Sequence, residues 1–185
     1  MPKIVDHDAK RIEILDGSFS LFAQHGYNKL SMRQMASSLG VTTGTLYHYF
    51  DGKQQIFEEL FALLQERDIQ KVTDQFTEQM SADERLLILK AFVTAEVPRL
   101  ADVLRIALEY QRVQSADGRV QAVDDLIEGY RTALSKHLRL PDALNQMVLS
   151  LIFGILVQFI FNPDNNISVQ LDLGFSILQT LMSRA

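Results

Sequence analysis

The chain has 185 residues, 47% of them hydrophobic and 22% charged, which fits one large folded domain, or a small one joined to a medium one, and excludes a disordered polymer. It has no cysteine, which removes a disulfide scaffold, a thiolate zinc site and a cysteine nucleophile together, and suits a reducing cytoplasm. The net charge is −5; up to residue 53 six basic residues face five acidic ones, which leaves +1 there and −6 in the rest. At a Debye length of about 8 Å the distant acidic charge is screened from an N-terminal site, so charge neither supports nor vetoes a nucleic-acid partner.

The chain begins "MPKIVDHDAKRIE", without the apolar stretch of a secretory signal. In "RIEILDGSFSLFAQHG", Ile14, Leu15, Ser18, Leu21 and Phe22 fall on one helical stripe, and Gly26 is the stop. Ser31 with Gln34 forms a capping-box pattern ahead of "MRQMASSLG", and Gly40 ends that helix. Asp51 with Gln54 repeats the pattern before the long amphipathic "IFEELFALLQERDIQKVTDQF". Ser81 with Glu84 repeats it before "RLLILKAFVTAEV", which Pro98 is expected to end or kink. Four more helices are predicted, over about 100–114, 119–138, 142–161 and 168–183, separated by the turn-forming stretches "SADG", "LRLP" and "NPDNN". No stretch alternates with period two, so no sheet is predicted.

The greasiest run, Met147 to Phe161, would make a helix of about 22 Å, short of the roughly 30 Å hydrocarbon core, and Gln158 interrupts it. It is read as a buried helix, not a membrane span.

"GVTTGTLYHYFDGK", Gly40 to Lys53, holds four rings that one short helix cannot bury together. Met35 and Leu39 are four apart before the turn, and Leu46 and Phe50 are four apart after it. Ala36 is small where two helices would cross, and Val41 is an apolar plug. This is the pattern of a helix-turn-helix, whose second helix enters the DNA major groove. With Leu46 and Phe50 inward, Tyr47 and His48 turn outward and Tyr49 lies nearer the boundary. Thr42, Thr43, Gly44 and Thr45 make the leading turn, and Lys53 opens the next helix, where its ammonium and free backbone amides can hold a phosphate. By itself the pattern fits a corner of any α-bundle equally well, and the outward rings fit a protein-contact patch.

The stretch "ILDGSFSLFAQHGYNKLSMRQMASSLGVTTGTLYHYFDGKQQIFEEL" closely resembles the N-terminal DNA-binding domain of the TetR family of bacterial transcriptional regulators. The likeness rests on Leu21-Phe22, Gly26-Tyr27, Ala36, Gly40-Val41, Leu46-Tyr47, Phe50 and Lys53, in the family's order. Two positions depart from it. Gly17 stands where alanine is usual, at about 1 kcal/mol of helix stability, and Gly52 where a polar residue is commoner.

The resemblance implies an all-α fold: an N-terminal three-helix helix-turn-helix DNA-binding domain over 1–53 and a larger α-helical ligand-binding and dimerisation domain over 54–185. It implies a sequence-specific regulator, mostly a ligand-responsive repressor, that binds a near-palindromic double-stranded DNA operator as a homodimer in the bacterial cytoplasm, on the nucleoid when DNA-bound. It assigns DNA contacts to Ser31 and Arg33, to Thr42, Thr43, Gly44 and Thr45, and to the clamps Tyr47, His48 and Lys53, with Arg33 and Thr43 reading bases. Past residue 60 or so it is architectural only. Homodimers of the family form through their last two long helices, and here Ser150, Phe153, Gly154 and Val157 with Leu171, Phe175, Leu178 and Met182 are the candidate seam. An unknown small-molecule effector would lie among Phe92, Glu96, Tyr110, Gln114, Tyr130 and Gln158. No cofactor, metal or membrane partner is implied.

Two other classes compete. An enzyme is disfavoured because the four histidines are scattered and no HExxH, Walker, GxSxG or EF-hand pattern occurs. A helical adapter that uses the same surface to bind protein is the second alternative.

Overall fold

The computed structural model of this chain describes residues 7–114, 121–164 and 166–182, without the side chains at 113, 114, 121 and 122. Among the described residues all regular structure is helical: α1 His7–His25, α2 Met32–Ser38, α3 Thr43–Tyr49, α4 Lys53–Thr73, α5 Ala82–Gln114, α6 Gln121–His137, α7 Asp142–Phe161 and α8 Ile167–Met182.

The helix ends follow local chemistry. Gly26 ends α1 at φ +76°, a left-handed conformation that side chains other than glycine rarely take. At Ser31 the capping box is complete: the Ser31 hydroxyl accepts from Gln34 N at 3.3 Å, and Gln34 Oε1 accepts from Ser31 N at 2.9 Å. Ser81 and Glu84 form the same pair, Glu84 N to the Ser81 hydroxyl at 3.2 Å and Ser81 N to Glu84 Oε2 at 2.8 Å. The Ser81 N–H and the Ser81 hydroxyl, at 2.9 Å, both donate to Glu84 Oε2 and hold that carboxyl below its ordinary pKa.

Two expectations are corrected. The Asp51–Gln54 cap does not form, because α4 begins one residue later, with Ile56 N donating to Gly52 O at 3.2 Å. The side chain that reaches back is therefore Gln55, accepting from Asp51 N at 2.6 Å, while Gln54 donates to Glu58. Nor does Pro98 end a helix: α5 runs through it for 33 residues. The proline deprives only the Thr94 carbonyl of its donor, and both residues are exposed, so solvent can satisfy that oxygen.

The chain divides into two compact units: Met1–Leu64 with Ile106–Ala122, and Gln65–Arg105 with Val123–Ala185. The boundary between the units within α4 falls after Leu64. Ile56, Phe57, Leu60 and Phe61, buried on α4, explain it, because they belong to the core of the first unit. That core is aromatic: Phe57 stacks on Tyr110 at 3.9 Å between centroids and on Phe61 at 4.2 Å, with Phe22 and Tyr27 set edge-on around it.

The second unit has an aliphatic core built from Leu86, Val93, Leu100, Val148, Leu171 and Phe175, among others. α8 packs along α7, and Gly174 lets the helices close: a Cβ there would lie 2.6 Å from Leu151 Cδ2. Here the seam drawn from the sequence is corrected. Leu171, Phe175 and Leu178 are 0–3% exposed and form the chain's own core, so they cannot meet a partner. The face of α8 left open carries Val169, Leu173 and Ile177, with Leu173 63% exposed. Both stripes are apolar and four residues apart, so burial alone distinguishes them. On α7, Ser150, Gly154 and Val157 are exposed, Phe153 is half-buried, and Met182 at the end of α8 packs on the core.

α7 is, among the described residues, the one helix long and apolar enough to cross a membrane by length and composition, but only 28% of its most apolar stretch is buried within the chain. It buries Leu144, Val148, Ile155 and Leu156 and presents Met147, Val157 and Phe161. It is thus a half-covered helix rather than the fully buried one expected.

Candidate nucleic-acid interface

The turn between α2 and α3 is a Schellman closure. Val41 N donates to Ala36 O at 3.0 Å and Gly40 N to Ser37 O at 3.3 Å, around Gly40 at φ +67°. Thr42 then caps α3, its hydroxyl accepting from Thr45 N at 3.0 Å. Met35, Ala36, Leu46 and Phe50 are sealed inward at 0–2% exposure, so the register of α3 is set by burial.

That register decides where the rings point. Tyr47 is 55% exposed and His48 is exposed, whereas Tyr49 is buried. The His48 imidazole lies edge-on to Tyr49, 5.1 Å between centroids, and to His7 at 5.4 Å, which limits its swing. Ser31, Arg33, Thr42 and Gly44 are exposed, and Thr43 and Thr45 half-buried.

Lys53 is placed differently. Its ammonium donates to Tyr27 O at 2.7 Å and Leu30 O at 2.8 Å and sits 4.1 Å above the Tyr27 ring. Burial lowers its pKa, an effect the nearby Glu109 carboxylate offsets in part. Two of its three N–H bonds therefore hold the α1–α2 turn, leaving one for any outside acceptor.

Two functional supports escaped the sequence reading. The Arg11 guanidinium lies 4.4 Å above the Phe50 ring while it donates to Glu59 and to the Tyr49 carbonyl. Glu109, from α5, accepts from Asn28 N at 3.2 Å beside Gly26. Their partners are 48 and 81 residues away, and no local pattern signals such pairs.

Glycine at 17 also gains a reason: a Cβ there would collide with the Leu39 side chain, so the helix-propensity loss accompanies a close α1–α2 approach.

Among the described residues of the second unit lie cavities of about 630 and 410 Å³, counting the open space at their mouths. Of the residues proposed from the sequence, Phe92 and Tyr130 line both. The others do not. Glu96 is drawn into ion pairs with Lys71 and Arg99. Tyr110 is 1% exposed in the aromatic core of the first unit, its hydroxyl donating to Glu58 at 3.0 Å. Gln158 is exposed, and the Gln114 side chain lies outside the described residues. Behind Tyr130, its hydroxyl donates to Asp68 Oδ2 at 2.8 Å and Arg99 pairs with the other Asp68 oxygen. Burial raises the Asp68 pKa despite Arg99, and burial likewise drives the Tyr130 phenol far up.

Residues 14–60 match the family model described as "Bacterial regulatory proteins, tetR family". The chain is 27% identical over 128 residues to the fatty acid metabolism regulator protein of Bacillus subtilis, covering 68% of this chain and 64% of that one. It is 40% identical over 68 residues to the HTH-type transcriptional repressor Rv1474c of Mycobacterium tuberculosis, covering 36% and 35%. It thus spans between about a third and two thirds of the length of these curated relatives. Among solved structures, the transcriptional regulator FadR from Bacillus subtilis in complex with stearoyl-CoA shares the fold, with a TM-score of 0.70 at 20% identity over 90% of this chain and 96% of that one. The matched segment, residues 14–60, holds the helix-turn-helix, and over it the chain is similar to bacterial regulatory proteins of the tetR family.

Proposed function

We infer that this protein is a transcriptional repressor that binds a near-palindromic operator as a homodimer and releases it when a small molecule enters the second unit. The observation that carries the reading is the register of α3: its apolar face is sealed while Thr42, Thr43, Thr45, Tyr47 and His48 are left toward one open side. In that arrangement hydroxyls and an imidazole meet phosphates and base edges, and Arg33 on α2 adds a fork suited to guanine. Two such helices reading one face of a duplex would lie about 34 Å apart, which makes the operator nearly symmetric.

The dimer is supported by the open apolar faces of α7 and α8, where Leu173 and Phe161 are 63% and 85% exposed. The effector is supported by the cavities, and by the fold likeness to a regulator that holds stearoyl-CoA. The protein acts by binding rather than by catalysis, and its place of work is the cytoplasm. A gel shift with the DNA upstream of its own gene, in excess nonspecific competitor, tests the reading. A discrete complex lost on Tyr47→Ala and Thr43→Ala is expected; equal retention of every fragment would overturn it.

A further inference from the structure

The two cavities share four wall residues, Leu89, Phe92, Tyr130 and Leu134. The wall of the larger one recurs along α5 from Leu89 to Leu104, about 22 Å along a helix axis at 1.5 Å per residue. Its apolar wall therefore follows about four turns of one helix, a layout suited to an extended chain.

Among the described residues, the charged side chains beside the larger cavity are already paired, while His137 lines only the smaller one. Arg99 is held by Asp68 and Glu96, Lys71 by Glu96, and Asp68 by Arg99 and Tyr130. The larger cavity is walled by aliphatic and aromatic side chains, and its one hydroxyl, on Tyr130, is spent on Asp68. An ion brought into it would lose its hydration with nothing in return.

We propose that the effector is a straight hydrocarbon chain whose polar head stays outside, and that the Tyr130 ring, which lines both cavities, sets the length that is accepted. A short chain fills the larger cavity alone. A longer one enters the smaller cavity only if the Tyr130 ring swings aside, which breaks its bond to Asp68 and leaves a buried carboxylate with one partner fewer. The break separates weakly from strongly inducing chain lengths. This rests on the effector-responsive reading above and adds to it the ligand class and the residue that selects among ligands.

The test is calorimetric titration of the full chain with straight alcohols, straight carboxylates and their coenzyme A thioesters from octyl to hexadecyl, against a compact polycyclic alcohol. Affinity should strengthen roughly fourfold per methylene, with little dependence on the head, and then break to a shallower slope at one length. A thioester advantage at every length would identify an activated acyl group as the source; equal alcohol and carboxylate binding would identify the bare chain.

Tyr130→Phe, which keeps the ring and drops the hydroxyl, should tighten binding only beyond the break, by about tenfold or more. Leu104→Trp, filling the larger cavity, should weaken every length. A length-independent series, preference for the compact alcohol, or an equal effect of Tyr130→Phe at all lengths would overturn the proposal. Operator binding is measured in parallel. DNA binding without any alkyl response sinks the ligand inference alone, and alkyl binding without DNA binding sinks the functional reading alone.

Discussion

Arg11 and Glu59 are joined by two parallel contacts, Nε to Oε2 at 2.8 Å and Nη2 to Oε1, while Arg11 Nη1 donates to the Tyr49 carbonyl at the end of α3. One side chain thereby ties α1, the end of the recognition helix and α4 together. Arg11→Ala should lower stability by about 1–3 kcal/mol, the range for charge-assisted bonds at a partly exposed site, and weaken operator binding as well. Arg11→Lys should recover little, since an ammonium cannot fork. Thermal unfolding of the three proteins checks this; equal midpoints would show the tie to be idle.

On DNA, Tyr47→Phe should weaken binding to all sequences about equally, whereas Thr43→Ala should change which sequence is preferred. Lys53 has two duties to separate. Lys53→Met keeps the apolar stem but removes the charge that holds the Tyr27 and Leu30 carbonyls. It should lower stability by about 1–3 kcal/mol and make the salt slope shallower by about one unit if the remaining N–H meets a phosphate. A stability loss with the salt slope intact would reduce Lys53 to a structural brace.

For His137, burial first, then the nearby Lys136 and Arg85, lower the pKa from its ordinary 6.5. The unfolded chain then takes up a proton there before the folded one does, so stability rises with pH through this window. Its contribution is fully present above about pH 6.5 and is lost as pH falls toward the folded pKa. Denaturant melts between neutral and mildly acidic pH should show stability falling on acidification, with a flatter profile in His137→Gln. An unchanged profile would rule the histidine out.

The open face of α8 gives the assembly test. Leu173→Glu should yield one-chain mass by light scattering while keeping full helicity, because the side chain is 63% exposed. Leu171→Ala should instead cost about 2–5 kcal/mol of fold stability, since Leu171 is wholly buried. If Leu173→Glu left a two-chain particle intact, the dimer would lie elsewhere.

The N-terminal helices were legible because their signals are local. Ser31 with Gln34, Gly40, and the Leu46–Phe50 spacing each speak through neighbours within a turn or two, and Pro98 misled because a single exposed proline does not stop a helix held by packing on both sides. The face of α8 was not legible: Leu171, Phe175 and Leu178 alternate with Val169, Leu173 and Ile177, and nothing in hydropathy says which stripe meets the core. Half of the effector set lies outside the two cavities for a similar reason. Tyr110 and Tyr130 each pair an apolar ring with a hydroxyl on a helix, yet one stacks against Phe57 and the other walls a cavity.

Thr42 and Thr45 stand with their hydroxyl oxygens 2.8 Å apart at the head of α3, and either can donate to the other. While that bond is made, one proton is used inside the pair, and the two residues have a single outward hydrogen. Rotating both O–H bonds exchanges which oxygen carries it without moving any heavy atom. On the function proposed above, the head of α3 would thus offer that hydrogen from either of two positions, for no more than the cost of a hydroxyl rotation.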